Sequence, residues 1–245
     1  VVLFVFDRCS DNSIDIIKNI SSNITIKYIE KTEGNNFSAG MTRDYGVDYF
    51  NIDYEMIVFT DGDCVPGPKV IEEHLQNIRR TKKAIVSCGK RYCQKEDLTW
   101  EDDERNIGHW VNGFGFEKNG RAIISRRLTL DNILTYSCNL AFNKKAIELC
   151  KEINLKLSNS NRVFNPNFDG SWGGEDNFIS NCLFLTNNWI TLTSNHCCVY
   201  HHYHKEEKKD ITHKRNIVNT LSNQLEEKII NGEIEGEVTY IDRTY

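Results

Sequence analysis

Only 3 of the 245 residues are proline, which excludes a Pro-rich spacer. Long hydrophobic runs are missing too. The longest, such as residues 1–6, fall far short of the roughly 20 apolar residues that cross a bilayer, and no basic-then-apolar leader opens the chain. The expectation is a soluble, cytoplasmic protein, with any membrane association left to segments outside this chain. A basic excess is also lacking: 30 Lys+Arg against 35 Asp+Glu leave a net charge of −5. The clusters Arg79-Arg80-Lys82-Lys83 and Arg126-Arg127 are short, so no nucleic-acid partner is expected. The 9 cysteines contain no C-x-x-C pair, and neither Cys88/Cys93 nor Cys197-Cys198 has structural-zinc spacing. They read as reduced, small hydrophobes. No internal repeat is present. What is there, 39% hydrophobic, 27% charged and 11% aromatic residues, describes a globular chain large enough to bury its own core.

Residues 1–6 are apolar, β-branched and aromatic, the composition of a strand buried on both faces. A helix follows with Ile14, Ile17 and Ile20 at three-residue spacing, capped by Ser10 or Asp11. Residues 24–29 alternate as a second strand, and 37–50 read as a helix carrying Ala39, Val47 and Phe50. Residues 56–60 form a third strand, 69–80 a helix opened by Pro68, and 84–88 a fourth strand. Such alternation with short connections requires a mostly parallel sheet covered by helices. Residues 94–120 have no clean period and are expected to leave the sheet. Beyond them come a strand at 134–142, a helix at 144–153, a polar loop at 158–172, a helix at 175–185, and strands near 189–193 and 197–200. A charged helix within 206–231 carries Ile217, Leu221, Leu225 and Ile229 at four-residue steps; it could pack on the domain or on a second copy as a homodimer.

Three constellations carry chemistry. In Phe59-Thr60-Asp61-Gly62-Asp63, two carboxylates sit one residue apart just past a strand, where open α/β sheets bind ligands. Gly62 lets the backbone bend between them, and a divalent cation with a diphosphate suits such a pair; a helix-capping turn is the bland alternative. Trp172-Gly173-Gly174-Glu175-Asp176 places two glycines and two acids at a helix start. That suits a cap, and equally a sugar site with an indole platform and a general base. Tyr200-His201-His202-Tyr203-His204 ends a strand, and alternation sends His202 and His204 to one side and His201 to the other. Imidazole ligates Mn²⁺-like ions.

In this order the motifs resemble the family-2 glycosyltransferases and relatives of the GT-A fold. The segment Phe4-Val5-Phe6-Asp7-Arg8-Cys9-Ser10-Asp11-Asn12-Ser13 is similar to the family's "VVDDGSTDNS". Gly40-Met41-Thr42-Arg43-Asp44-Tyr45-Gly46 lies in a stretch similar to its "G-x-x-x-A-R-N-x-G". Phe59 to Pro66 is similar to "FLDGDDxP", Asn165 to Asp176 to "FDExFxGWGGED", and Val199-Tyr200-His201 to a later "YH". The likeness spans residues 1–205 and implies a GT-A, Rossmann-like, mostly parallel sheet flanked by helices with a small antiparallel acceptor-side portion. A C-terminal helical extension would occupy 206–245. The family starts one strand earlier, with "VxIPxYN", so a first strand is expected upstream. Phe6 and Arg8 replace the usual acid and glycine beside Asp7.

The resemblance implies a metal-dependent inverting hexosyl- or N-acetylhexosaminyl-transferase, active in glycan biosynthesis, that uses a nucleotide-sugar donor, UDP-linked, and a glycan or glycosylated acceptor. Asp176 matches the general base, and Glu175, Trp172, Gly173 and Gly174 the acceptor side. Asp7, Arg43, Asp61 and Asp63 match the donor side. Asp63, His201 and Asp61 match the ligands of a Mn²⁺ or Mg²⁺ ion, with His202 and His204 as fallbacks. Two other readings stay open: a haloacid-dehalogenase-type phosphohydrolase using Asp61 and Asp63, and a non-catalytic carbohydrate-binding protein of the same fold.

Overall fold

Three strands buried on both faces organise the centre of the molecule. In β5 (Ile85–Cys88), β10 (Leu140–Asn143) and β3 (Met56–Phe59), successive side chains point to opposite faces. Phe59, Val86, Cys88, Leu140 and Phe142 enter one apolar cluster with Ala146, Ile147, Ile179 and Leu183. Ile85 and Ala141 meet Ile78 on the other face. A sheet covered on both sides explains why these strands read as unbroken apolar runs.

The computed structural model describes residues 1–31, 38–50, 53–97, 99–102, 114–116, 122–124, 137–170, 173–192, 196–205 and 212–236. Elements are numbered in chain order: β1 (Val2–Asp7), α1 (Ser13–Lys18), β2 (Ile26–Lys31), α2 (Ala39–Tyr49), β3, β4 (Cys64–Pro66), α3 (Val70–Ile78), β5, β6 (Lys90–Gln94), β7 (Trp100–Asp102), β8 (Phe114–Phe116), β9 (Ala122–Ile124), β10, α4 (Lys144–Ser158), α5 (Glu175–Leu185), β11 (Trp189–Leu192), β12 (Cys198–His201) and α6 (Thr212–Ile230). Short 3₁₀ turns lie at Ser137–Asn139 and Pro166–Phe168.

Among the described residues the strands form three ladders: β1-β2, β3-β10-β5-β11-β9-β8 and β4-β12-β6-β7. The β1/β2, β5/β11 and β6/β12 pairings are parallel. β10 instead runs antiparallel to both β3 and β5, so the central sheet is mixed, not mostly parallel. Strand–helix alternation could not show this, because β10 arrives after the irregular middle of the chain and from the opposite direction.

Side-chain caps open two of the helices. The Ser38 hydroxyl accepts from Met41 N at 3.1 Å and opens α2 at Ala39, two residues later than the 37–50 reading. Asn143 accepts from Ala146 N and opens α4, which runs five residues past the expected end and stops at Asn159 in the left-handed region, φ 49°. Neither Ser10 nor Asp11 is the N-cap of α1, a position held by Asn12. Pro68 likewise lies one residue outside the N-cap Lys69 of α3.

Helix α6 buries Val218, Leu221, Leu225 and Ile229 against Phe178, Cys182 and Leu185 of α5 and Ile153 of α4. Among the described residues no helix is long and apolar enough to cross a membrane.

Candidate active site

β1 ends at Asp7 and β3 at Phe59. The turn after β3 is closed by Cys64 N donating to Asp61 O at 3.1 Å, so Asp61 and Asp63 both stand at the carboxyl end of a strand. Arg43, on the second turn of α2, joins this turn to the Gly-Gly-Glu-Asp segment. Its Nη2 donates to Asp61 Oδ1 at 2.9 Å and its Nη1 to Glu175 Oε1 at 3.0 Å. The guanidinium is nearly buried and lies over the Phe164 ring, 5.6 Å from its centroid. One planar fork serving two carboxylates is a task that arginine geometry performs and an ammonium does not.

Gly173 and Gly174 have φ of +86° and +93°, a conformation that a side chain would strain. Gly174 is the N-cap of α5, and a Cβ there would lie 3.1 Å from Phe168 Cε1. The turn therefore fits under Phe168 and delivers Glu175 and Asp176 into the first turn of α5. Asp176 Oδ1 accepts from Asn177 N at 2.9 Å and Oδ2 from Ser137 N at 3.2 Å. Burial, and next the neighbouring Glu175, push its carboxyl up to about 7.

The loop before this turn is polar in sequence yet ordered by side chains. Asp44 of α2 accepts from Val163 N at 2.8 Å and Arg162 Nε at 2.9 Å. Arg162 forks to Asp169 at 2.5 and 3.0 Å, and Asp169 also receives the Ser38 hydroxyl at 2.5 Å. Buried Asn154 donates to the carbonyls of Arg162 and Val163. Sequence reading gave Asp44, Arg162 and Asp169 no role: Asp44 and Asp169 entered it only inside the family-like stretches, and the polarity of residues 158–172 signals no more than a segment that must find backbone partners.

On the opposite wall, His201 Nε2 lies 3.3 Å and His204 Nε2 3.4 Å from Asp63 Oδ2, with the two rings 5.0 Å apart. His202 turns away, its Nδ1 3.4 Å from Gln94 Oε1. This corrects the expected alternation: β12 ends at His201, so the residues beyond it no longer keep the strand period. A hydrogen bond to Asp63 pushes His201 up to about 10, and His201 in turn pulls Asp63 down to about 2. The two imidazoles open on a cleft of about 510 Å³ that also reaches Cys93 and Gln94.

The ligand atoms of Asp63, Cys64 and His201 all lie within 4.8 Å of one another. His201 Nε2 comes within 3.3 Å of Asp63 Oδ2, and Cys64 Sγ within 3.6 Å of Asp63 Oδ1. The carboxylate and imidazole suit a divalent ion, whereas a hydrogen bond with Cys138 and burial push the Cys64 thiol well above its usual range, against the thiolate that ligation needs. Asp61 is outside this group, with Oδ1 engaged by Arg43, whereas Cys64, which composition reading treated as a hydrophobe, is inside it.

Asp7 is heavily engaged. Its Oδ2 accepts from Lys31 Nζ and the Thr42 hydroxyl, both at 2.9 Å, and its Oδ1 from Arg8 Nε at 3.0 Å. Burial opposes ionisation there, but these donors together hold its carboxylate below the usual range. Arg8 itself adopts φ 55°, which accounts for glycine at the matching place in the family pattern. Trp172 lies outside the described residues. Lys214 of α6 was missed entirely: it is buried and its Nζ would lie 3.8 Å from a Cβ on Gly173.

A family model described as Glycosyl transferase family 2 matches residues 2–149. Among solved structures, GalNAc-T7 with UDP, GalNAc and Mn²⁺ is similar at a TM-score of 0.58 and 11% identity, over 96% of this chain and 48% of that one. S. aureus TarS 1–349 in complex with UDP-GlcNAc is similar at 0.52 and 17% identity, over 84% of this chain and 50% of that one. The chain thus spans about half the length of these structures. No curated protein matches it in sequence.

Proposed function

The chain belongs to glycosyl transferase family 2 and has the mixed α/β fold of GT-A glycosyltransferases; from that premise we propose that it transfers a sugar from a nucleotide-sugar donor, UDP-linked, to an acceptor hydroxyl with inversion. The transferred group would be a hexosyl or N-acetylhexosaminyl unit. Asp176 is the proposed general base. Its carboxyl, raised to about 7, sits where proton affinity is useful near neutrality. It would take the acceptor proton as the hydroxyl attacks the anomeric carbon from the face opposite the leaving diphosphate. Glu175, paired with Arg43 and next to Asp176, adds to that affinity. Gly173, Gly174 and Trp172 are assigned to the acceptor side.

Asp7, Arg43, Asp61 and Asp63 are assigned to the donor side. Asp63 and His201, with Cys64 and His204 adjacent, would hold a divalent ion, Mn²⁺ or Mg²⁺, the imidazoles favouring Mn²⁺. A divalent ion bound there supplies positive charge for a departing diphosphate. Asp61, tied to Arg43, acts in this reading as an orienting group and not as a ligand.

The observation that carries the proposal is the Arg43 bridge, which holds an acid of the donor turn and an acid of the acceptor turn on one guanidinium. The same bridge counts against Asp61 as the free nucleophile of a phosphohydrolase. A binding-only role leaves the raised carboxyl of Asp176 without a task. Asp176→Asn is expected to lower transfer by about 10²–10⁴-fold while UDP-sugar still binds, measured by diphosphate release and by calorimetry. Near-normal turnover in that variant would dismiss the assigned base.

A further inference from the structure

A cleft of about 370 Å³ runs along α6, bounded by Asn167 of the Pro166–Phe168 turn on one rim and by His213, Asn216, Thr220 and Gln224 on the other, with Ile217 and Leu221 also lining it. We propose that this cleft is an extended acceptor subsite for a neutral saccharide, binding the sugar units behind the one whose hydroxyl is glycosylated. The proposal rests on the glycosyltransferase reading for the word acceptor, but the cleft's chemistry stands on its own residues.

Position comes first. Asn167 precedes Phe168, whose ring edge meets Gly174, and His213 precedes Lys214, whose ammonium lies beside Gly173. Val218, one turn further along α6, also packs on Gly174, 3.4 Å from where its Cβ would be. Both rims are thus neighbours of the turn that presents Glu175 and Asp176, so a chain of sugars leaving Asp176 on that side meets the cleft next. His213, Asn216, Ile217, Thr220 and Gln224 recur at helical spacing and form one face of α6. Val218, Leu225 and Ile229 are buried elsewhere in the core.

The ligand class follows from the lining. None of these seven residues is an acid, a lysine or an arginine, so the cleft offers no fixed charge to pair with a phosphate, a carboxylate or an ammonium. It offers three amides, a hydroxyl and an imidazole, which both donate and accept, around the half-buried side chain of Ile217, with Leu221 almost wholly buried at its floor. Saccharides present that same combination, hydroxyls that donate and accept around apolar C–H faces. The volume falls within the range of small-molecule sites. Asn167, His213, Asn216, Thr220 and Gln224 are solvent-facing, so a sugar can reach them without displacing the core.

The test uses the full chain with three neutral trisaccharides, cellotriose, maltotriose and triacetylchitotriose, in saturation-transfer NMR. Thr220→Trp fills the cleft and Gln224→Ala removes one amide, both at exposed positions, and circular dichroism checks that each variant folds. At least one trisaccharide should receive saturation from the wild-type protein. Thr220→Trp should weaken it by about tenfold or more in Kd, Gln224→Ala less, and neither should change UDP-sugar hydrolysis without acceptor. No saturation for any of the three, or equal saturation in wild type and Thr220→Trp, would overturn the subsite. Donor hydrolysis in the same samples reports on the catalytic reading separately: intact hydrolysis with no saccharide signal sinks the subsite alone. Saccharide binding without hydrolysis upholds the cleft and sinks the enzyme.

Discussion

At the scale of single residues, burial opposes the charged form of both Asp176 and Arg43, and their neighbours settle the outcome in opposite directions. Asp176 is kept from ionising by its surroundings, so kcat/KM should rise with pH and level off above an apparent pKa of about 7. A flat profile from pH 5 to 9 would be inconsistent with that base. The same shift acts on folding. An unfolded aspartate ionises near 3.9, so between about pH 4 and 7 the unfolded chain releases a proton that the folded chain keeps. The stability supplied by the protonated carboxyl is complete below about pH 4 and is lost as pH rises through about 7. Asp176→Asn removes that loss, and its Tm relative to wild type should climb across the same window. Arg43 is the reverse case, a cation kept charged by two acids. Arg43→Met leaves Glu175, 4% exposed, without its partner, which costs about 3–5 kcal/mol in denaturant titration. Arg43→Lys should recover only part, because one ammonium cannot reproduce the fork.

At the scale of elements, the turn before α5 and helix α6 act as a unit. Gly174→Ala forces a side chain into φ +93° and against Phe168, an expected loss of about 1–3 kcal/mol. Because the strain falls beside Glu175 and Asp176, transfer should fall more than the small change in Tm suggests. Leu225 is wholly buried between α6 and the core, and Leu225→Ala should cost about 2–5 kcal/mol by the same titration. Periodicity exposed both elements. Helix α5 begins at Glu175 as expected, since the paired glycines end whatever precedes them, and the stripe of Leu221, Leu225 and Ile229 is buried at its four-residue steps. The loop at residues 159–170 was legible only as polar. Its order comes from Asp44 and Asn154, which reach it from α2 and α4, and no local pattern names such a partner.

At the scale of the whole molecule, β4, which starts just after Asp63, and β12, which ends at His201, are joined by one ladder, with His201 opposite Cys64. If this wall holds a divalent ion, Mn²⁺ binds the folded state alone and stabilises it by RT ln(1 + [L]/Kd), about 2.7 kcal/mol at a hundredfold excess over Kd. Tm should rise with added Mn²⁺, return on chelation, and stay unmoved in Asp63→Ala; an equal rise in that variant would remove the ion from this wall.

The sequence by itself determined the alternation of strands and helices, though not that β1 would be only half-buried, the acids placed just past β3, the glycine break before α5, and the resemblance that names the family. These are properties of neighbours along the chain, where period, capping and backbone conformation act within a few residues. Only the tertiary structure decided that Arg43 binds Glu175, 132 residues away, that Cys64 and His204 stand beside Asp63 and His201 while Asp61 turns to Arg43, and that α6 walls the Gly173-Gly174 turn. Those pairings depend on where β10 enters the central sheet and on how the helices pack over it, and both are set by burial of apolar surface across the whole fold.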